Sequence, residues 1–374
     1  MEIIIAVVSF LVGYFAQKLF DAIYEKVNLR IRHKKVQKKV RNLKEKIILE
    51  ETPILTLAIG KPKFTIADIY IQMDERTEMF LAFPHDLLPS LPASSGSFSQ
   101  EDVCDFPISI KGVSQEIFKE ALEHARTKIA KGFLERKNGL YFNGARYGVS
   151  YVDSFSRTCD EVEKPILTIK LFNTDHFTHK VIEETIDSLK PLDQIFSLNS
   201  LNNELKFLRT SIGVSIIVRL KSSNEIILTR RSQNAAYSNG GSWIYVSATE
   251  AMSQTDYDSF ISKPRLDFCV KRGLFEELGI TETMYSSDDI YYTDYFFETN
   301  FMQDGIVAVV ELDESITSID VENKARQAKD FELEIENFIL IKNDVKAIDK
   351  FIVTHSKEMR DQTKFALMSY CARL

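Results

Sequence analysis

Cysteine is scarce in this chain: Cys104, Cys159, Cys269 and Cys371 are the only four among 374 residues, and no two form a CxxC pair. That spacing argues against a disulfide scaffold and a zinc ribbon, and it fits a reducing compartment. A glycine-rich phosphate loop and a GxSxG elbow are also missing, so neither a P-loop enzyme nor an α/β-hydrolase is supported. The formal net charge is -7 although the first fifty residues are basic, so the remaining body is acidic. An acidic body argues against binding long nucleic acids, whose phosphates demand basic surface, but it permits a small nucleotide in a local basic pocket. His176 and His179, with Asp175 beside them, have no third ligand at a recognisable spacing. They read as polar residues at a strand-to-helix junction rather than as a metal site.

What is present is enough for a full core: 44% of the residues are hydrophobic and 27% charged, over a length that suits about two domains. Residues 3–20 are apolar apart from Ser9, Gln17 and Lys18. As a helix they would span roughly 27 Å, close to the ~30 Å of a bilayer core. Basic residues follow directly, from Lys26 to Lys46. The order apolar then basic is the reverse of a signal peptide, and the positive-inside rule keeps the basic flank cytoplasmic. The expectation is therefore a single-pass transmembrane anchor at 1–20 in the cell inner membrane, in contact with membrane lipid, with the bulk of the chain cytoplasmic. The alternative is a buried N-terminal helix of a soluble protein. Leu29, Val36 and Leu43 repeat every seven residues, which predicts a basic helical stalk over 21–50 that either self-associates or lies on the membrane surface.

Residues 51–200 predict an α+β domain. A pair of strands is expected within 52–83, a long Pro/Ser-rich loop over 84–105, and a helix over 114–136 capped by Ser114, with Ile117, Phe118, Ala121, Leu122, Ala125 and Ile129 on its apolar face. Strands at 147–152 and 165–172 and a helix at 180–189 follow.

The most informative stretch is RLDFCVKRGLFEELGI, residues 265–280. Leu266, Val270, Leu274 and Leu278 recur every four residues, and Asp267/Lys271 and Arg272/Glu276 stand at ion-pair spacing, so an amphipathic helix is predicted, ending at Gly279. Glu276 and Glu277 lie in its last turn, where the helix dipole disfavours negative charge by a few tenths of a kcal/mol. Such a cost invites a functional explanation.

This segment resembles the Nudix box, Arg-Glu-aliphatic-x-Glu-Glu-x-Gly-aliphatic, through Arg272, Leu274, Glu276, Glu277, Gly279 and Ile280. Gly273 stands where the first Glu belongs, and Pro264 takes the place of the upstream Glu. Strands at 211–220 and 225–231, Trp243 and a displaced Glu250 extend the resemblance over about 205–374. It implies a C-terminal Nudix-like α/β/α sandwich at 201–374 and an overall α+β class. It also implies that Glu276 and Glu277 are the catalytic positions and that Glu250, Glu276 and Glu277 are the ligands of Mg²⁺, which suits hard oxygen donors and phosphate chemistry. An ordinary surface helix with ion pairs is the alternative.

With one ligand missing at Gly273, binding is expected to outlast catalysis. Arg230, Arg231 and Arg272 meet phosphate charge, and Trp243 and Tyr245, with Tyr291, Tyr292 and Phe297, are candidates to stack bases or simply to pack the core. Anchor plus Nudix-like domain is similar to the transmembrane Nudix effectors of bacterial cyclic-oligonucleotide antiphage systems. The resemblance implies an antiviral effector that binds a nucleotide second messenger, homo-oligomerises on activation and disrupts the membrane. The alternatives are an active Mg²⁺-dependent, membrane-tethered hydrolase of nucleoside diphosphate derivatives and a structural adaptor.

Overall fold

The structure is a computed structural model, and it describes residues 54–58, 66, 68–87, 110, 113–135, 143–157, 164–189, 197–232 and 243–374. It corrects the expected architecture in two respects. Among the described residues no helix is long and apolar enough to cross a membrane, and the anchor and stalk expected over 1–50 lie outside them. The class is mixed α/β and not α+β, because helices and strands alternate along the chain and two strand pairs are parallel, each needing a helix-bearing crossover.

The chain opens with β1 (Ile54–Ala58) and β2 (Asp68–Glu78), followed by α1 (Gln115–Glu135), β3 (Ala145–Arg157), β4 (Lys164–Asp175) and α2 (His176–Leu189). The first two strands, expected as a pair, join different sheets. β1 runs antiparallel to a strand of the C-terminal sheet, whereas β2 lies parallel to β4 in a three-stranded sheet of order β2-β4-β3. In α1 the Ser114 hydroxyl accepts from the Ile117 amide at 3.3 Å, as a cap should, and Phe118, Leu122, Ala125, Ile129 and Phe133 are buried. Ile117, assigned to the apolar face, instead stands half exposed on the surface. Phe83 stacks on Phe177 with centroids 3.8 Å apart and meets Phe133 edge-on at 5.8 Å, which ties α1 to α2. α2 starts four residues before the expected Lys180, because Asp175 caps it: the carboxylate accepts from the Thr178 amide at 2.8 Å and from Asn143 Nδ2 at 3.0 Å.

After the short α3 (Leu198–Asn202) come β5 (Ile212–Leu220), β6 (Glu225–Arg231), β7 (Ile244–Tyr245), β8 (Ala248–Ala251), the hairpin β9 (Tyr257–Asp258) and β10 (Lys263–Pro264), and α4 (Leu266–Leu278). Then follow β11 (Ile290–Glu298), β12 (Gln303–Leu312), α5 (Ser318–Ala325), α6 (Phe331–Glu334), β13 (Ile335–Lys342), α7 (Val345–His355) and α8 (Asp361–Cys371). The large sheet has the order β1-β11-β12-β5-β6-β13, with β8 on β5 and β7 on β6. β5 and β12, the parallel central pair, are apolar on both faces. Val214, Ile216, Val218, Ile306 and Ala308 pack with α4, while Ile217, Val307 and Val309 pack with α7 and α8. Two helical layers thus cover one sheet, an α/β/α sandwich.

The expected stripe of α4 is buried: Leu266 is 5% exposed, and Val270, Leu274 and Leu278 are 0%. Gly279 ends the helix at φ 62°, and a Cβ there would lie 2.5 Å from the Lys324 carbonyl oxygen at the end of α5. Both the left-handed backbone and the close approach require glycine.

The sandwich and the middle unit are sewn together. The Val149 amide donates to the Arg209 carbonyl at 2.8 Å, and the Gln254 amide to the Ala145 carbonyl at 3.3 Å. Fully buried Arg209 grips Asp304 at 2.7 and 3.0 Å, Tyr295 Oη at 3.0 Å and Asn202 Oδ1 at 3.0 Å. Asn202 in turn holds the backbone of Val152 on β3 through bonds of 2.9 and 2.7 Å.

Candidate functional site

A cavity of about 250 Å³ opens along that seam, close to the smallest size that ordinary ligand pockets reach, roughly 300 Å³. The sandwich contributes Arg231, Tyr245, Glu250, Glu277, Glu334 and Arg360; the middle unit contributes Arg146, His176, His179 and Glu183. Phe301 and Gln303, at the turn between β11 and β12, complete the rim.

α4 brings Glu277 here because it stands one turn beyond the buried Gly273 on the inward side of the helix. It accepts from the Thr249 amide at 3.3 Å. Burial pushes its carboxyl well above the usual range, the carboxylates of Glu334 and Glu250 push the same way, and Arg231 opposes them. Burial likewise raises Glu250, against the pull of Arg272. Glu250 also explains Gly273: a Cβ at that position would lie 2.8 Å from Glu250 Cβ and 3.3 Å from its Cγ. The side chain of β8 fills the space of the side chain that the box lacks.

The carboxylates expected to hold Mg²⁺ do not converge on a vacant point. Arg272 lies among them, with Nη1 2.8 Å from Glu250 and 3.6 Å from Glu276, and it is further held by Asp256 at 2.8 and 2.9 Å and by the Ala251 carbonyl at 2.8 Å. Lys329 approaches Glu276 from the other side at 3.9 Å. Among the described residues no group of three or more His, Cys, Asp or Glu side chains is arranged to hold a metal ion. The donor set, already engaged by Arg272 and Lys329, therefore does not fit the cation. His176 and His179 are buried, burial drives both well below the usual histidine range, and they stay neutral. His179 Nδ1 meets Thr210 Oγ1 at 3.2 Å, whereas His176 Nδ1 is buried with no hydrogen-bond partner.

Of the nucleotide-binding residues expected from sequence, Arg231 and Tyr245 reach the cavity. Arg231 is ion-paired with Glu334 and lies over the Tyr245 ring at 4.8 Å. Arg230, next along β6, points the other way and pairs with Glu358 at 2.7 Å. Trp243 is half buried, and its carbonyl accepts from the Arg231 amide at 2.8 Å, but it does not line the cavity. Arg272 braces the wall from behind. Phe297 is core, and Tyr291 and Tyr292 line a separate groove beside β2.

Sequence reasoning missed Arg360, Glu298, Phe301 and Arg146. Arg360, just before α8, sits 3.7 Å over the Phe301 ring and 5.7 Å from the centre of Tyr245, and donates to Glu298 at 3.1 Å. Burial raises the Glu298 carboxyl to about 7, against the pull of Arg360. No motif marks these positions, since they lie in different elements and meet only through the fold. No model of a known protein family matches the chain, and no curated protein is similar to it.

Proposed function

We propose that this chain is a nucleotide receptor of the antiphage-effector kind, in which the Nudix-like sandwich and the middle unit enclose a phosphate-bearing second messenger and bind it without turnover. The observation that carries this reading is Arg272. Its guanidinium takes the place between Glu250 and Glu276 where hydrolysis would need a cation, while the cavity beside it remains open. The mixed lining supports the same class of ligand. Guanidiniums are suited to phosphate, and buried carboxylates accept hydrogen bonds from the exocyclic amines of bases. Phe301 offers a ring at the rim for stacking.

One observation favours hydrolysis instead: Glu250 packed on Gly273 restores a carboxylate near the missing box position. A single preparation decides between the two. The purified full chain is titrated with nucleoside diphosphates and cyclic dinucleotides by calorimetry, and the same mixtures with Mg²⁺ are followed for product. Binding without turnover is expected. Turnover within the common enzyme range of ~1 to 1000 per second, abolished by Glu277→Gln, would replace the receptor reading with the hydrolase.

A further inference from the structure

Three guanidiniums line the cavity, and two are already matched. Arg231 has Glu334 and the Tyr245 face, and Arg360 has Glu298 and the Phe301 face. Arg146 of β3 has neither: among the described residues its side chain makes no ion pair and no hydrogen bond. It lines the cavity together with Glu250, and its positive charge adds a minor pull on the carboxyls of Glu250 and Asp175. The backbone around it is fixed from both sides. Its carbonyl accepts from Gln254 Nε2 at 3.2 Å, it bridges to Ser253, and the neighbouring Ala145 carbonyl accepts from Ser253 Oγ at 3.1 Å. A guanidinium on an anchored strand at a cavity wall, making no ion pair of its own among the described residues, is a preorganised anion receptor, since recruiting a matched arginine would disturb a buried pair.

We propose that Arg146 takes the phosphate of the ligand, so that the ligand is held across the seam and the middle unit decides whether an anion is accepted. This rests on the receptor reading above. It gives residues 51–200 a role in recognition: a ligand touching both units stabilises their contact by its differential affinity for the closed arrangement.

The test uses the full chain with pyrophosphate, ADP and GDP as probes and adenosine and guanosine as uncharged controls, read by calorimetry and by thermal shift. Wild type should bind the phosphate-bearing probes more tightly than the nucleosides. Arg146→Ala should weaken them about tenfold or more, and Arg146→Lys should recover part of the loss. Arg230→Ala, outside the cavity, should leave binding unchanged, and a single cooperative melting transition certifies the fold of each variant. If Arg146→Ala binds pyrophosphate and both nucleotides like wild type while Arg231→Ala or Arg360→Ala does not, Arg146 is not the phosphate receptor although the receptor reading stands. If no phosphate-bearing probe binds the wild type, both fail together.

Discussion

On the sandwich side of the cavity Arg231 meets Glu334 and Arg360 meets Glu298, whereas on the middle unit's side Arg146 meets no carboxylate among the described residues. The matched pairs sit among rings and buried backbone, where a lone charge would cost several kcal/mol, so their partners are a condition of folding. Arg146 is only half buried and keeps enough solvent to stand alone. Charges that the fold must neutralise hold the cavity's shape, and the charge left over is the one available to a ligand.

The contrast can be broken hardest at the seam. Arg209→Ala leaves Asp304 buried and uncompensated and cuts the link through Asn202 to β3. It should cost ~3 to 5 kcal/mol in urea denaturation, against a typical total of ~5 to 15. A loss under about 1 kcal/mol would mean that the two units do not depend on this pair.

The matched side should also show itself in pH. Glu298 has a folded value of about 7, above its ordinary 4.5, so the folded state binds the extra proton between these values. Stability from this group is therefore full below about 4.5 and falls as pH rises to about 7, at most ~1.4 kcal/mol per pH unit. Glu298→Gln should flatten that part of the profile. An unchanged slope in melting temperature would assign the titration elsewhere.

Next in size is Gly273→Glu, which restores the glutamate of the pattern that α4 resembles. The new side chain must enter the space that Glu250 occupies, 2.8 Å from the site of its Cβ. The variant should lose ~1 to 3 kcal/mol, and adding Glu250→Ala should recover most of it. No recovery in the double variant would show that the loss has another source.

The smallest effect is expected at Arg230, whose pair with Glu358 is partly solvated. Arg230→Ala should change stability by ~0 to 1 kcal/mol, measured by the same denaturation.

Of the sandwich, β5, β6 and α4 were legible, whereas β11 to β13 and α5 to α8 were not. The four-residue stripe from Leu266 to Leu278, the glycine stop at Gly279 and the strand at Glu225–Arg231 are local patterns, each set by periodicity or backbone freedom within one element. Glu277 and Arg231, singled out within such patterns, line the cavity, whereas Arg230 does not, since successive residues of a strand face opposite ways and the sequence does not say which face meets the cavity. β1 and β2 were recognisable as strands but not as members of different sheets, because strand partners are chosen over long chain separations.

By itself, then, the sequence determined β5, β6 and α4 with its apolar face, and it showed the resemblance of that helix to a degenerate box. Only the tertiary structure decided what surrounds Gly273 and which side chains share the cavity. Glu250 packs where Gly273 has no side chain, Arg272 stands between the carboxylates, and Arg146 and Arg360 arrive from 127 residues upstream and 87 downstream of Gly273. Periodicity reports which residues turn inward, but the partner that each one meets is fixed by packing between elements, and the chemistry of a site depends on the partner.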